Sequence, residues 1–266
     1  MAENKETVTR TVTVALAVCL VCAVVVSSAA VLLRPVQNKN EKLNRQTNIL
    51  SAAGLYEPGM SGDDVRARFS NIDRRFVRLD TGEYVDMPDS YDYISAKQNP
   101  EMSTDLPSKK DPAGIKRKPK VAQVYLARDD QGELDTIILP VHGYGLWSTL
   151  YGFLAVESDA NTVAGLGFYE HGETPGLGGK VDSKAWKSQW PGKKLYDEDG
   201  DLAIQVIKGS VPDNAPDKEH KVDGLSGATL TTRGVNSLVR YWSSDNGYRP
   251  YLERVRDPDA RTAAAN

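Results

Sequence analysis

Between residues 223 and 232 the chain reads DGLSGATLTT, with hydroxyls at Ser226, Thr229, Thr231 and Thr232 among the small residues Gly224, Gly227 and Ala228. Directly after it, Val235, Leu238, Val239 and Trp242 fall at i, i+3, i+4 and i+7. That spacing is an apolar helix face and predicts a helix over 229–243. The first turn of such a helix carries unpaired N–H groups and a partial positive charge, which suits a phosphate. The same hydroxyls also serve ordinary helix capping, and the sequence leaves both open. A Thr hydroxyl is a weak nucleophile without a neighbouring base. Asp223 is the only candidate base within the segment. The run Gly224-Leu225-Ser226-Gly227-Ala228 is one residue short of a G-x-S-x-G nucleophile elbow. In that hydrolase order the His follows the Ser, whereas His142, His171 and His220 all precede Ser226.

Two further segments are candidates for a ligand site. Residues 170–179, EHGETPGLGG, hold five Gly or Pro within eight positions, so the backbone can lie close to a flat ligand. His171 with Glu173 is the composition of an acid–base pair, although such a pair without partners is more often structural. Residues 143–149, GYGLWST, form a Gly-aromatic turn in which Trp147 either stacks on a ring or fills core. Gly143 and Gly145 have dinucleotide-loop spacing, but the third position holds Ser148, and no P-loop occurs.

The elements that must position these segments are ordinary in composition. The chain has 266 residues, 40% hydrophobic and 26% charged, with a net charge of −3. That length holds one large domain or two small ones and buries a sizeable core. The near balance of charge excludes nucleic acid as the main partner. Cys19 and Cys22 are the only cysteines, so the rest of the chain has no disulfide framework, cysteine zinc site or cysteine-held cluster. With three scattered His residues, no metal site is expected. Strands are expected at 121–127, 136–141, 152–156, 163–169 and 202–208, and a helix at 183–190 with Trp186 and Trp190 one turn apart. Strands and helices do not alternate strictly, so the fold class is α+β with an antiparallel or mixed sheet. Residues 35–55 start polar and end in a short helix carrying Ile49, Leu50, Ala53 and Leu55. Residues 56–118 resist assignment. The basic stretch 108–120 reads as a solvated linker, with contact to anionic lipid as the alternative.

Residues 11–33 contain no charge between Arg10 and Arg34. A helix over them spans about 34 Å, enough to cross a bilayer core of about 30 Å. The rival is a cleaved signal peptide with its small-residue site at 27–30. The apolar run is too long for that and continues through Val31, Leu32 and Leu33. Cys19 and Cys22 have C-x-x-C spacing, but an apolar helix makes them small hydrophobes rather than a redox pair. Lys5 and Arg10 precede the span, while Arg34, Lys39, Lys42 and Arg45 follow it, a bias that weakly favours a cytoplasmic domain.

Taken together, the N-terminal span, Asn48-Ile49-Leu50 with Ala53-Gly54-Leu55, GYGLWSTLYGF (143–153), ETPGLG (173–178) and SGATLT (226–231) resemble the C subunit of the sodium-translocating NADH:quinone reductase. The resemblance covers nearly the whole chain. D-x-x-S-G-A-T, with Asp223 first and Thr229 last, is specific to covalently flavinylated domains. What the resemblance implies is an electron-carrying flavoprotein subunit of a sodium-pumping NADH:ubiquinone oxidoreductase, with no complete activity alone and no catalytic residue of its own. Covalent FMN would be carried on Thr229 through a phosphoester made by a separate flavin transferase from FAD. The implied cofactor-binding residues are Thr229, Asp223, Ser226, Gly227, Ala228, Leu230 and Thr231; Gly145, Leu146, Trp147, Ser148 and Thr149; and Glu173, Thr174, Pro175, Gly176, Leu177 and Gly178. Implied partners are other subunits of a membrane respiratory complex, the transferase and the lipid bilayer. The expected organisation is a tail at 1–10, a transmembrane helix at 11–33, a membrane-proximal region with basic linker at 34–120, an FMN-binding domain at 121–256 and a frayed tail at 257–266. The family places that domain in the periplasm of a bacterial inner membrane, against the Lys/Arg bias. Two alternatives remain: the equivalent flavin subunit of an Rnf-type ferredoxin:NAD oxidoreductase, which shares S-G-A-T, and a non-redox, membrane-anchored extracytoplasmic binding module.

Overall fold

The computed structural model describes residues 7–256; Lys5 and the tail at 257–266 lie outside them. In chain order the elements are helix α1 (Val8–Ala52), α2 (Gly62–Phe69), strand β1 (Ile72–Arg78), α3 (Tyr93–Gln98), β2 (Ser103–Asp105), β3 (Arg117–Pro119), β4 (Val121–Arg128), β5 (Leu134–Tyr144), β6 (Thr149–Glu157), β7 (Val163–Glu170), α4 (Lys184–Lys187), β8 (Gln205–Val206), β9 (Lys221–Val222), α5 (Thr229–Trp242) and α6 (Arg249–Arg256).

The chain divides into two compact units, residues 1–44 and 45–266. In the first, α1 is long and apolar enough to cross a membrane. The expected polar stretch and separate short helix are one continuous helix with it, because residues 36–48 are mostly good helix formers and Pro35 removes only one intrahelical bond. The helix stops at Gly54, whose φ of +71° is left-handed. There the Leu55 N–H reaches Leu50 O at 2.8 Å and the Gly54 N–H reaches Ser51 O at 3.2 Å, the paired bonds of a glycine C-terminal cap.

The second unit is built on a five-stranded sheet in the order β1-β4-β5-β6-β7, antiparallel throughout. Its central strands read as near-continuous apolar runs because both faces are covered. On one face Val124, Leu126, Ile137, Leu139, Leu154 and Val156 pack with Val235, Leu238, Val239 and Trp242 of α5 and Leu252 of α6. On the other, the alternate residues Tyr125, Ala127, Ile138, Phe153 and Ala155 pack with Ile49, Ala52 and Ala53. The end of α1 comes so near β7 that a Cβ on Gly165 would lie 2.4 Å from Ala52 O. Antiparallel pairing and an α+β class agree with the sequence expectation.

Several expected elements differ in extent. The sheet takes its edge strand β1 from the unassigned region, ahead of residue 121. The stretch 108–120 is structured rather than a solvated linker: β3 pairs with β2, and Lys118 Nζ donates to Asn246 O at 2.9 Å. Burial lowers the Lys118 ammonium below its ordinary range. The strand expected at 202–208 shrinks to the two residues of β8, which pair in parallel with β9. The helix at 183–190 is a single turn, α4, where Trp186 and Trp190 meet edge to face at 5.5 Å. In both places long-range packing of Trp186, Trp190 and Ile204 replaces local regularity.

Candidate functional site

Helix α5 begins at Thr229 behind Ala228, which offers no side-chain cap. The turn before it is held from within: Thr232 Oγ1 donates to Ala228 O at 3.0 Å and accepts from the Leu225 N–H at 2.9 Å. Ala228 N–H bonds Leu225 O at 3.0 Å, and the first α5 amide with a protein acceptor is Thr232, on Ala228 O at 2.9 Å. The N–H groups of Thr229, Leu230 and Thr231 therefore point out of the helix start without an acceptor among the described residues. Ordinary capping by Ser or Thr does not occur here. Gly227 makes the turn with φ +80°.

The hydroxyls divide by accessibility. Thr231 and Thr232 are buried, whereas Thr229 is exposed at the first helical position and its hydroxyl has no partner among the described residues. Ser226 is exposed too, and its carbonyl lies 3.5 Å from Lys180 Nζ. Asp223 is not placed as a base. Its Oδ1 accepts the Val211 N–H at 2.7 Å, its carbonyl accepts Trp186 Nε1 at 2.9 Å, and its own N–H goes to Gln189 Oε1 at 3.0 Å. These contacts tie the segment at 211 and the Trp186 turn to the strand that leads into the site.

The other two segments converge on the same helix start. Glu173 is 5% exposed and both carboxylate oxygens are occupied. Oε1 accepts the N–H groups of Leu146 at 2.9 Å and Trp147 at 3.0 Å, and Oε2 accepts the Thr231 hydroxyl at 2.5 Å. Burial pushes this carboxyl up, but the Thr231 hydroxyl and the N–H groups of Trp147, Leu146 and Ser148 outweigh it and hold the group below its ordinary range. Two glycines make room for the carboxylate. A Cβ at Gly145 would lie 2.5 Å from Oε1, and one at Gly178 would lie 2.6 Å from Oε2. Ser148 Oγ accepts the Gly172 N–H at 2.6 Å, and Thr149 opens β6. Thr174, Pro175, Gly176 and Leu177 form an exposed turn in which Thr174 O accepts the N–H groups of Leu177 at 3.1 Å and Gly179 at 3.0 Å. A Cβ on Gly227 would meet Leu177 Cδ2 at 3.1 Å, so this turn touches the one that leads into Thr229.

Among the described residues of the second unit, five large apolar or aromatic side chains are exposed; Tyr144, Trp147, Leu177 and Leu230 belong to these three segments, and Tyr84 lies apart from them. Trp147 thus does not fill core. Tyr144, whose OH donates to Trp147 O at 3.3 Å, was missed by sequence reasoning, as was Lys180. The strand position of Tyr144 next to Gly145 was a usable signal; nothing local marks Lys180. His171 is no acid–base partner of Glu173. Its Nδ1 accepts the Glu173 N–H at 3.2 Å, which leaves Nε2 to donate to Asp182 Oδ2 at 2.7 Å. No group of His, Cys, Asp and Glu able to hold a metal occurs among the described residues.

Residues 145–244 match the FMN-binding domain family. The C subunit of the Na(+)-translocating NADH-quinone reductase of Pseudomonas aeruginosa is 53% identical over 260 residues, 97% of this chain and 99% of the relative. The chain belongs to this C-subunit family. Its counterpart from Yersinia pestis is 43% identical over 96% of this chain and 95% of that protein. The crystal structure of Shewanella oneidensis NqrC superposes with a TM-score of 0.74 at 36% identity, covering 83% of this chain and 99% of that one. In family terms, the FMN-binding match starts at Gly145 and ends just beyond α5, so it contains the segments at 170–179 and 223–232 and residues 145–149 of the third.

Proposed function

We propose that the chain carries FMN covalently on Thr229 and passes electrons through it as the C subunit of a sodium-pumping NADH:ubiquinone oxidoreductase. The observation that carries this reading is the exposed Thr229 hydroxyl at the start of a helix whose first three N–H groups, those of Thr229, Leu230 and Thr231, have no acceptor among the described residues. A phosphodiester there would sit at the positive end of α5, an arrangement worth about 0.3–1 kcal/mol at an exposed site. The flavin supplies the redox chemistry, and the protein supplies orientation and electrostatics. Tyr144, Trp147, Leu177 and Leu230 offer apolar surface for the ring, and the N–H groups of α5 hold the phosphate end. Because no base among the described residues hydrogen-bonds the Thr229 hydroxyl, attachment calls for a flavin transferase. In that step the Thr229 oxygen bonds to the flavin-side phosphorus of FAD, the pyrophosphate bridge breaks, AMP leaves, and the hydroxyl proton passes to a base of the transferase. Residues 11–33 anchor the subunit in the inner membrane, the second unit faces the periplasm, and neighbouring subunits deliver and accept the electrons. Intact-mass measurement of the native chain tests the reading: a mass increase of one FMN less water is expected, and an unmodified chain refutes the linkage.

A further inference from the structure

We infer that Glu173 and Thr231 do not bind the flavin but act as a positioning pair, fixing the Trp147 turn and the Thr229 helix start in one geometry. The inference rests on the proposed flavin site and assigns roles inside it. Glu173 is 5% exposed and Thr231 0%. Both oxygens of Glu173 are engaged by the protein, two backbone N–H groups on one and the Thr231 hydroxyl on the other. The Thr231 hydroxyl proton is committed to Glu173, and both carboxylate oxygens already accept from the protein. What the carboxylate does instead is join three segments that are remote in sequence. It holds the backbone that carries the exposed Trp147, the base of the loop that carries the exposed Leu177, and, two residues past Thr229, the first turn of α5. Hydrogen bonds to a charged acceptor are short and directional, so one planar group sets the spacing among all three. Gly145 and Gly178 are required on its two sides, since a Cβ at either would run into its oxygens. A general contribution to fold stability would not explain why every partner of this carboxylate lies in the segments around Thr229.

The test uses the full chain in membranes, with and without a flavin transferase. Glu173→Ala and Thr231→Val remove the pair, Thr231→Ser preserves the hydroxyl, and Leu252→Ala, buried in α6, serves as a control that lowers stability away from the site. With transferase, the initial rate of flavin attachment, read by fluorescence of the denatured chain, should fall about tenfold or more in Glu173→Ala and Thr231→Val, as expected on losing a hydrogen bond to a charged group. The visible circular dichroism of the attached flavin should change in the same two variants. Thr231→Ser and Leu252→Ala should match the parent in both readouts. Without transferase, time-resolved anisotropy of Trp147, taken as the difference from a Trp147→Phe chain, should show a larger fast component in Glu173→Ala and Thr231→Val only. That arm needs no flavin, so it decides the inference even if the parent chain proves unflavinylated. Unchanged Trp147 anisotropy in Glu173→Ala and Thr231→Val, or the same changes in Leu252→Ala, would overturn the positioning role.

Discussion

Thr229 is set apart from its neighbours by what their hydroxyls already do. Thr231 donates to Glu173 and Thr232 to Ala228 O, both in the interior, while the Thr229 hydroxyl faces solvent. Thr229→Ala should therefore abolish covalent flavin fluorescence on a denaturing gel, and Thr232→Ser should retain it; fluorescence persisting in Thr229→Ala would move the linkage elsewhere. Glu173 makes a separate prediction about pH. Its carboxyl is held below the ordinary value of 4.5, so its contribution to stability is complete above that pH and is lost as pH falls through the lower folded value. Glu173→Gln, which has no proton to gain there, should lose less stability than the parent between pH 4.5 and the acid limit. The measurement is the urea midpoint followed at stepwise lower pH.

Among the elements, α5 and the 173–178 loop do different work. Helix α5 packs its apolar face on β5, where Trp242 Nε1 donates to His142 O at 2.7 Å, and its first half runs beside Tyr144 and Gly145, where β5 turns toward β6. The loop approaches the start of α5 only because Gly178 has no side chain. Its φ is not left-handed, so the need for glycine is steric: a Cβ would lie 2.5 Å from Thr231 Oγ1. Gly178→Ala should cost about 1–3 kcal/mol in denaturant unfolding, as overpacking does, and should weaken flavin attachment as well. Leu177→Ala, at an exposed position, should leave stability and the covalent bond intact while shifting the absorbance or fluorescence of the attached flavin. Spectra identical to the parent would separate Leu177 from the ring.

For the whole molecule, the division at residues 44 and 45 falls within α1, and the helix end after it belongs to the soluble unit. Ile49 is 1% exposed and Leu50 0%. Burying two such side chains contributes about 1.5–3 kcal/mol each. A fragment of residues 45–266 should fold cooperatively and remain soluble. A fragment of residues 56–266 should have a markedly lower thermal midpoint and bind a hydrophobic dye, because the sheet face of Tyr125, Ile138 and Phe153 loses its cover. Topology is tested on the intact chain: a reporter active only in the periplasm, fused after Asn266, should be active, and activity of a cytoplasm-only reporter would reverse the orientation proposed above.

The sequence by itself determined the membrane-length apolar run, the α+β class with an antiparallel or mixed sheet, helix α5 and the small-residue turn ahead of it. Each is written in local signals, namely hydropathy over tens of residues, period-two or 3.6-residue spacing, and glycine where the backbone turns. The same signals brought out the three segments that meet at Thr229. Tertiary structure alone decided how those segments meet. Glu173 reads in sequence as half of an acid–base pair with His171, yet its carboxylate is committed to Thr231, which is 58 residues away, and to the turn at 146–147. Asp223 reads as a base, yet it holds the Val211 N–H. Strand β1 was hidden because its apolar pattern is interrupted by Asp73, Arg74 and Arg75 at a sheet edge that tolerates charge. Local patterns specify which backbone conformation a segment prefers. The partner that each buried polar atom takes depends on which distant segment folds against it, and that is settled only when the sheet and α5 pack together.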